Sequence, residues 1–175
     1  YEKDGKKTEI TYDEIGNPKD YIDGKKLQWE RGRKLKKIEN NGERAEYKYN
    51  ENGQRRYKTV VTKESTMGNV TNYEWDENKL IMERNTDIDK DKTYDIWYLY
   101  NENDEMIGYD YVTKDENKNI KSSRVFFEKD LEGTVIGLWS ESGYPFASIL
   151  YDCWGNVVKY NCASDFNEIF KANHI

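Results

Sequence analysis

A five-residue pattern, aromatic-[Asp/Asn]-x-x-Gly, limits what this chain can fold into more than any other feature. It reads Tyr12-Asp13-Glu14-Ile15-Gly16, then Tyr49-Asn50-Glu51-Asn52-Gly53, then Tyr151-Asp152-Cys153-Trp154-Gly155. Looser copies are Trp139-Ser140-Glu141-Ser142-Gly143 and Tyr100-Asn101-Glu102-Asn103-Asp104, and Trp75-Asp76-Glu77-Asn78 keeps only the start. By composition the strict Tyr form should occur about 0.2 times in 175 residues, yet it occurs three times, which marks a repeat architecture. Each residue type has a structural reason to be there. The aromatic ends a strand and packs on its cross-strand neighbour. Asp or Asn folds its side chain onto the backbone two residues on. Gly supplies a positive φ that other residues resist. A new strand then begins, as at Arg55-Arg56-Tyr57, Met106-Ile107 and Val157-Val158. The candidate site residues are therefore structural turn formers: Tyr12, Asp13, Gly16, Tyr49, Asn50, Gly53, Tyr151, Asp152 and Gly155.

Between the turns, side chains alternate with period two, the signature of strands. Tyr94, Ile96, Tyr98 and Tyr100 share one face, as do Thr71, Tyr73 and Trp75, and Val125 with Phe127. Asn40-Asn41-Gly42, Asp23-Gly24, Glu132-Gly133 and Ser142-Gly143 add further turns at hairpin density. Trp97 and Leu99 oppose Ile96 and Tyr98, so some strands carry apolar residues on both faces and are expected to be covered on both sides or to line a closed cavity. The fold expected is all-β: antiparallel hairpin repeats in a curved or spiral sheet over 1–162. A tail follows over 163–175, where Ser164, Glu168 and the spacing of Phe166, Ile169 and Phe170 predict one or two helical turns.

Leu, Ile, Val and Phe make up only 33 of 175 residues, but 15 Tyr and 5 Trp supply the missing apolar area. Net charge is −6 with acids and bases interleaved, which gives no electrostatic footprint for nucleic acid. The basic spot Lys34, Lys36 and Lys37 has Glu30 and Glu39 beside it. No apolar run approaches the ~20 residues of a membrane helix. The sequence opens on Tyr1 without Met or signal peptide, as expected of a piece of a longer protein. Cys153 and Cys162 allow either a disulfide or two free buried thiols, the second being favoured. With the single His174 they cannot complete a four-ligand zinc site without carboxylates.

Sharper chemistry finds little support. Asp87-Ile88-Asp89-Lys90-Asp91 resembles the opening of a calcium loop, but Lys92 replaces the turn glycine and Tyr98 stands at the twelfth position. Nucleophile-plus-histidine schemes have only His174 to use. No enzyme, cofactor or metal site is expected. The alternative is glycan binding through exposed aromatics, with Trp97, Tyr109, Tyr111 and Trp154 as candidates; a row left exposed on one face would favour it.

The Tyr-Asp-x-x-Gly-Asn units are similar to the YD repeats of the Rhs family. Val125-Phe126-Phe127-Glu128-Lys129-Asp130-Leu131-Glu132-Gly133-Thr134-Val135-Ile136-Gly137-Leu138, followed by Tyr151-Asp152-Cys153-Trp154-Gly155-Asn156-Val157-Val158, looks like that family's core region. The resemblance runs from about Thr8 to Cys162. It implies a spiral β-sheet closing as a hollow shell around a C-terminal toxin domain, in a secreted or cell-surface bacterial protein. The partners it implies are flanking repeats and that toxin domain. The family's self-cleaving Asp-Pro-x-Gly motif is not in this sequence.

Overall fold

The computed structural model of the chain describes residues 2–3, 6–7, 9–114, 118–167 and 169. Its early strands are β1 (Glu2–Lys3), β2 (Lys6–Lys7), β3 (Thr11–Tyr12), β4 (Pro18–Asp20), β5 (Lys26–Glu30), β6 (Lys34–Asn40), β7 (Glu43–Tyr49) and β8 (Arg55–Val61). Then come β9 (Asn69–Asp76), β10 (Lys79–Asp87), β11 (Lys92–Tyr100) and β12 (Met106–Lys114). The last four are β13 (Ile120–Lys129), β14 (Val135–Ser140), β15 (Pro145–Tyr151) and β16 (Val157–Cys162). Strands β3 to β16 are hydrogen-bonded neighbours in sequence order, and β1 pairs with β2 separately. The fold is all-β and made of antiparallel hairpins. This follows from turns every few residues, which leave no segment long enough to repay helix nucleation.

The expected helix over 164–171 opens, in its described part, as a 3-10 turn at Ser164–Phe166 and continues with Asn167 and Ile169 in helical conformation. Its remainder, with Glu168, Phe170 and Lys171, lies outside the described residues. The loose copy at Trp75 also departs from expectation. Strand β9 ends at Asp76 and β10 starts at Lys79, leaving a two-residue loop of Glu77 and Asn78, with Glu77 at φ 49°. Lys79 stands three places after Asp76, and the chain takes the shorter hairpin there. Asn41-Gly42 also makes a two-residue loop, between β6 and β7, here with both residues at positive φ (49° and 87°), the type favoured by strand twist.

The chain forms two compact units. The first comprises Tyr1–Glu74 and Arg84–Thr93. Its strands alternate Leu27, Ile38, Ala45 and Val60 on one face with Lys26, Glu39 and Arg44 on the other, each set in direct cross-strand register. Lys37–Glu39 and Arg44–Glu46 are ion pairs on that second face (2.8 and 3.6 Å). Such pairs hold little energy, about 0–1 kcal/mol each. Burial here is thin: among the described residues, Val61 and Tyr73 are the buried apolar side chains of this unit, with Asn17, Thr71 and Asn85 the buried polar ones.

The second unit comprises Trp75–Glu83 and Tyr94–Ile175. Ile96, Tyr109, Tyr111, Val125, Leu138, Phe146, Ala147, Ile149 and Ile169 form one buried cluster. Tyr109, Leu138, Ile96 and Val125 are fully enclosed. The cluster is the alternating face of β11 to β15, as the register pairs Ile96 with Tyr111, Tyr109 with Val125, and Leu138 with Ala147. The segment after β16 closes over it. Phe166 stacks on Phe146 at 4.4 Å, Ala163 N–H donates to Phe146 O (2.9 Å), and the Tyr109 hydroxyl donates to Ile169 O (3.1 Å).

Candidate functional site

The repeated turn is the most developed local structure in the chain. At Asp152, its own N–H donates to Asn156 O (2.9 Å) and Gly155 N–H donates back to Asp152 O (3.1 Å). Asp152 Oδ1 accepts from the N–H groups of Trp154 and Asn156 (2.9 and 2.8 Å). Gly155 closes the turn at φ 81°, where an L side chain meets its own backbone. The backbone pair recurs with the same spacing at Asp13, Asn50, Asn101, Asp130 and Ser140. Asp130 thus leads a further copy, although Lys129 and not an aromatic stands before it. At Asn101 the glycine place is taken by Asp104, at φ 62°.

The motif extends one residue further than the sequence pattern shows. In four copies the residue after the glycine place returns its side chain to the lead residue. Asn17 Nδ2 donates to Asp13 Oδ2, and Asn156 Nδ2 to Asp152 Oδ2 (both 2.8 Å). Asn50 Nδ2 donates to Gln54 Oε1, and Asn101 Nδ2 to Glu105 Oε2 (both 2.8 Å). The pairs are complementary. An acid lead takes an amide partner, and an amide lead takes a carbonyl or carboxylate. The backbone N–H of Asn17, with its side-chain amide, holds the Asp13 carboxyl below its ordinary range. The Asn156 side chain and N–H do the same for Asp152. Hydrogen bonds to the charged form are the cause in both.

The aromatic before the turn reaches back to the preceding strand. The hydroxyls of Tyr49, Tyr100 and Tyr151 donate to the carbonyls of Leu35, Leu80 and Val135 (2.8, 2.8 and 3.1 Å). Each acceptor lies in the first two residues of its strand. Tyr12 differs, being 55% exposed. Lys34 and Lys79, next to two of those acceptors, lie over the rings of Tyr49 and Tyr100 (5.5 and 6.0 Å to the centroids). Lys34 also donates to Gly53 O (2.7 Å), and Lys79 pairs with Asp104. A lysine, a tyrosine and a turn thus lock together twice, on Lys-Leu and Tyr-Asn-Glu-Asn sequences that recur identically.

Other candidate residues are distributed differently from the sequence expectation. The calcium-like loop spends two of its carboxylates on partners within the chain: Asp89 accepts from the N–H groups of Thr66, Met67 and Gly68 (3.0–3.2 Å), and Asp87 pairs with Lys90 (2.8 Å). The backbone N–H groups of Gly68, Met67 and Thr66 hold the Asp89 carboxyl below its ordinary range. Among the described residues no group of three or more His, Cys, Asp or Glu gathers around a common point. The four aromatics considered for glycans do not form one exposed row. Tyr109 and Tyr111 belong to the buried cluster, whereas Trp97 is 42% and Trp154 86% exposed. Tyr94 packs on Tyr111 at 5.2 Å, and its hydroxyl is pushed up to about 12 by burial, with Tyr111 and Glu83 adding to the effect. Glu83, itself buried, accepts from the Tyr98 hydroxyl (2.9 Å). Both cysteines are free. Cys153 is exposed in the Asp152 turn, not buried as expected, and Cys162 is half-buried. His174 lies outside the described residues. Trp97 is 42% exposed although its strand is apolar on both faces, so no described residue of this chain covers it fully.

No family model matches the chain. Three curated relatives share sequence with it over 163 residues, 91% of its length. The tRNA3(Ser)-specific nuclease WapA of Bacillus spizizenii is 32% identical, and the tRNA nuclease WapA of Bacillus subtilis 30%. The chain spans about 6% of the length of these relatives. A structure of the Photorhabdus luminescens Tc holotoxin pore matches with a TM-score of 0.66 over 91% of the chain, at 13% identity. A TcdB2–TccC3–Cdc42 complex matches with 0.63 over 86%, at 15% identity. The chain covers 8% of each of those solved chains. The YD-repeat resemblance carried by Tyr12, Tyr49 and Tyr151 therefore has a counterpart in sequence relatives and in the fold of toxin assemblies.

Proposed function

We propose that this YD-repeat segment is a non-catalytic stretch of wall in a secreted or surface-displayed Rhs-type toxin, helping to enclose a C-terminal toxin domain until delivery. One observation carries the reading. The residues that repeat are spent on turn closure and strand anchoring, and their hydrogen bonds run to the backbone or to their own turn partner. Such residues build surface. Flanking repeats are its neighbours in this reading, and the nuclease activity named for the relatives resides elsewhere in the parent chain. Incubating the 175-residue chain with tRNA and Mg²⁺ tests the first half: the RNA stays intact, and cleavage by the purified chain would sink the reading. In the parent, Tyr109→Ala should expose the enclosed domain to protease. A parent whose toxin domain is digested equally fast with and without that substitution has no enclosing wall here.

A further inference from the structure

Strand β16 stands at the end of the sheet order, and among the described residues no strand pairs with its outer side. The residues that follow it do not add one. Ala163 N–H donates to Phe146 O, a 3-10 turn comes next, and the Tyr109 hydroxyl meets Ile169 O. The chain thus runs back across the buried face toward β12 and away from the edge. Every residue from Val157 to Asn161 is exposed, Val158 by 62% and Tyr160 by 51%. A row of unpaired N–H and C=O groups flanked by apolar side chains is a template for another strand.

The order of residues along β16 selects the strand that fits. Two copies related by a two-fold axis normal to the sheet pair antiparallel, and each side chain keeps to its own face, so one residue must stand opposite itself. Centring the axis on Lys159 sets two ammonium groups against each other, which destabilises a pair. Centring it on Tyr160 sets ring against ring, Lys159 against Asn161, and Val158 against Cys162, with no like charges opposed. The same register continues the buried cluster. Tyr160 lies in register with Ile149, which is 6% exposed, so the row would run Ile149, Tyr160, Tyr160 and Ile149 across the axis. Each Tyr160 then gains an aromatic neighbour on the side where half of it now meets water.

We propose that the outer edge of β16 pairs with β16 of a second copy of this chain, antiparallel and centred on Tyr160. The pairing does not rest on the wall reading, since it needs only the free edge. A strand pair this short buries well under the roughly 800 Å² per partner of a standard interface, so the dimer is weak and depends on concentration. Sedimentation velocity of the 175-residue chain tests it, from about 10 µM to about 1 mM. Sedimentation should shift from monomer toward dimer over that range. Tyr160→Lys, which opposes two charges on the axis, should weaken association about tenfold or more with the fold intact by circular dichroism. Tyr160→Phe should keep it. Cross-linking reads the register. With Cys153→Ser and Cys162→Ser as background, Tyr160→Cys should form a covalent dimer under copper–phenanthroline oxidation, its two Cα atoms lying about 4.5–5.5 Å apart. Asn161→Cys should not, because its two copies lie roughly 8 Å apart in this register. A chain that stays monomeric to about 1 mM leaves the edge to a different strand and overturns the proposal. A dimer insensitive to Tyr160→Lys, or Asn161→Cys linking as readily as Tyr160→Cys, overturns it equally. Should Tyr160→Lys fail to fold, the comparison of the two cysteine variants decides.

Discussion

The lead side chain of each turn and the fourth residue after it act as one unit. Asn156→Asp should place a second carboxylate against Asp152 and lower the melting temperature. Adding Asp152→Asn should restore most of the loss, because an amide lead with an acid partner is the arrangement already found at Asn101 and Glu105. A double-mutant cycle read by thermal melting checks this, and additive losses would mean the two side chains do not couple. Acid should act on the same turns. The Asp13 and Asp152 carboxyls sit below their ordinary range when folded. Their stabilisation is thus full above the unfolded value of about 3.9 and is lost as pH falls through the lower folded value. The melting temperature should drop below about pH 4, and less steeply in Asp152→Asn. Tyr151→Phe should cost about 1 kcal/mol, the net worth of its hydroxyl bond to Val135, as urea unfolding would measure. The turn itself was legible in the sequence, since its residues lie within five positions of one another. The tyrosine's acceptor lies 14 to 20 residues earlier, and no local pattern points to a carbonyl, which every residue carries.

Strand β12 is paired on both sides, with β11 and with β13. Its register with β13 runs unbroken from Gly108–Phe126 to Lys114–Ile120. Gly108→Ala should force the two strands apart, because the atom it meets at 2.1 Å is the backbone oxygen of Val125 and not a mobile side chain. The cost should reach the upper end of the roughly 1–3 kcal/mol typical of overpacking, with amide exchange rising along β12 and β13. A well-folded variant with unchanged exchange would mean that the sheet absorbs the shift. Alternation in the sequence was enough to place Tyr94, Ile96 and Tyr98 on one face. It did not say which face would be covered: Tyr109 and Trp97 look alike as aromatic strand residues, yet one is enclosed and the other 42% exposed. The distinction depends on the chain after β16 crossing only one side, a long-range fact. The Asp87 loop illustrates the same limit, since Asp89's partners lie 21 to 23 residues earlier.

In the molecule as a whole, each unit carries its own balance of burial and exposure. The first relies on hairpin hydrogen bonds and half-buried side chains, with Val61 and Tyr73 its buried apolar residues. The second encloses Ile96, Tyr109, Val125 and Leu138 completely. Fully burying a Val, Leu or Ile side chain stabilises by about 1.5–3 kcal/mol. Several such side chains on adjacent strands should therefore make the local opening of β12, β13 and β14 costlier, by a few kcal/mol, than that of β5, β6 and β7. Native-state hydrogen exchange reads this directly, because amides exchange through the cheapest opening that frees them. Protection factors in β12–β14 should exceed those in β5–β7 by one to three orders of magnitude, about tenfold for each 1.4 kcal/mol. Tyr109→Ala should remove about 3–5 kcal/mol from the second unit and bring its protection down toward that of the first. Equal protection in both units of the unaltered chain, or protection in β12–β14 that survives Tyr109→Ala, would mean that backbone pairing and not the enclosed cluster sets local stability.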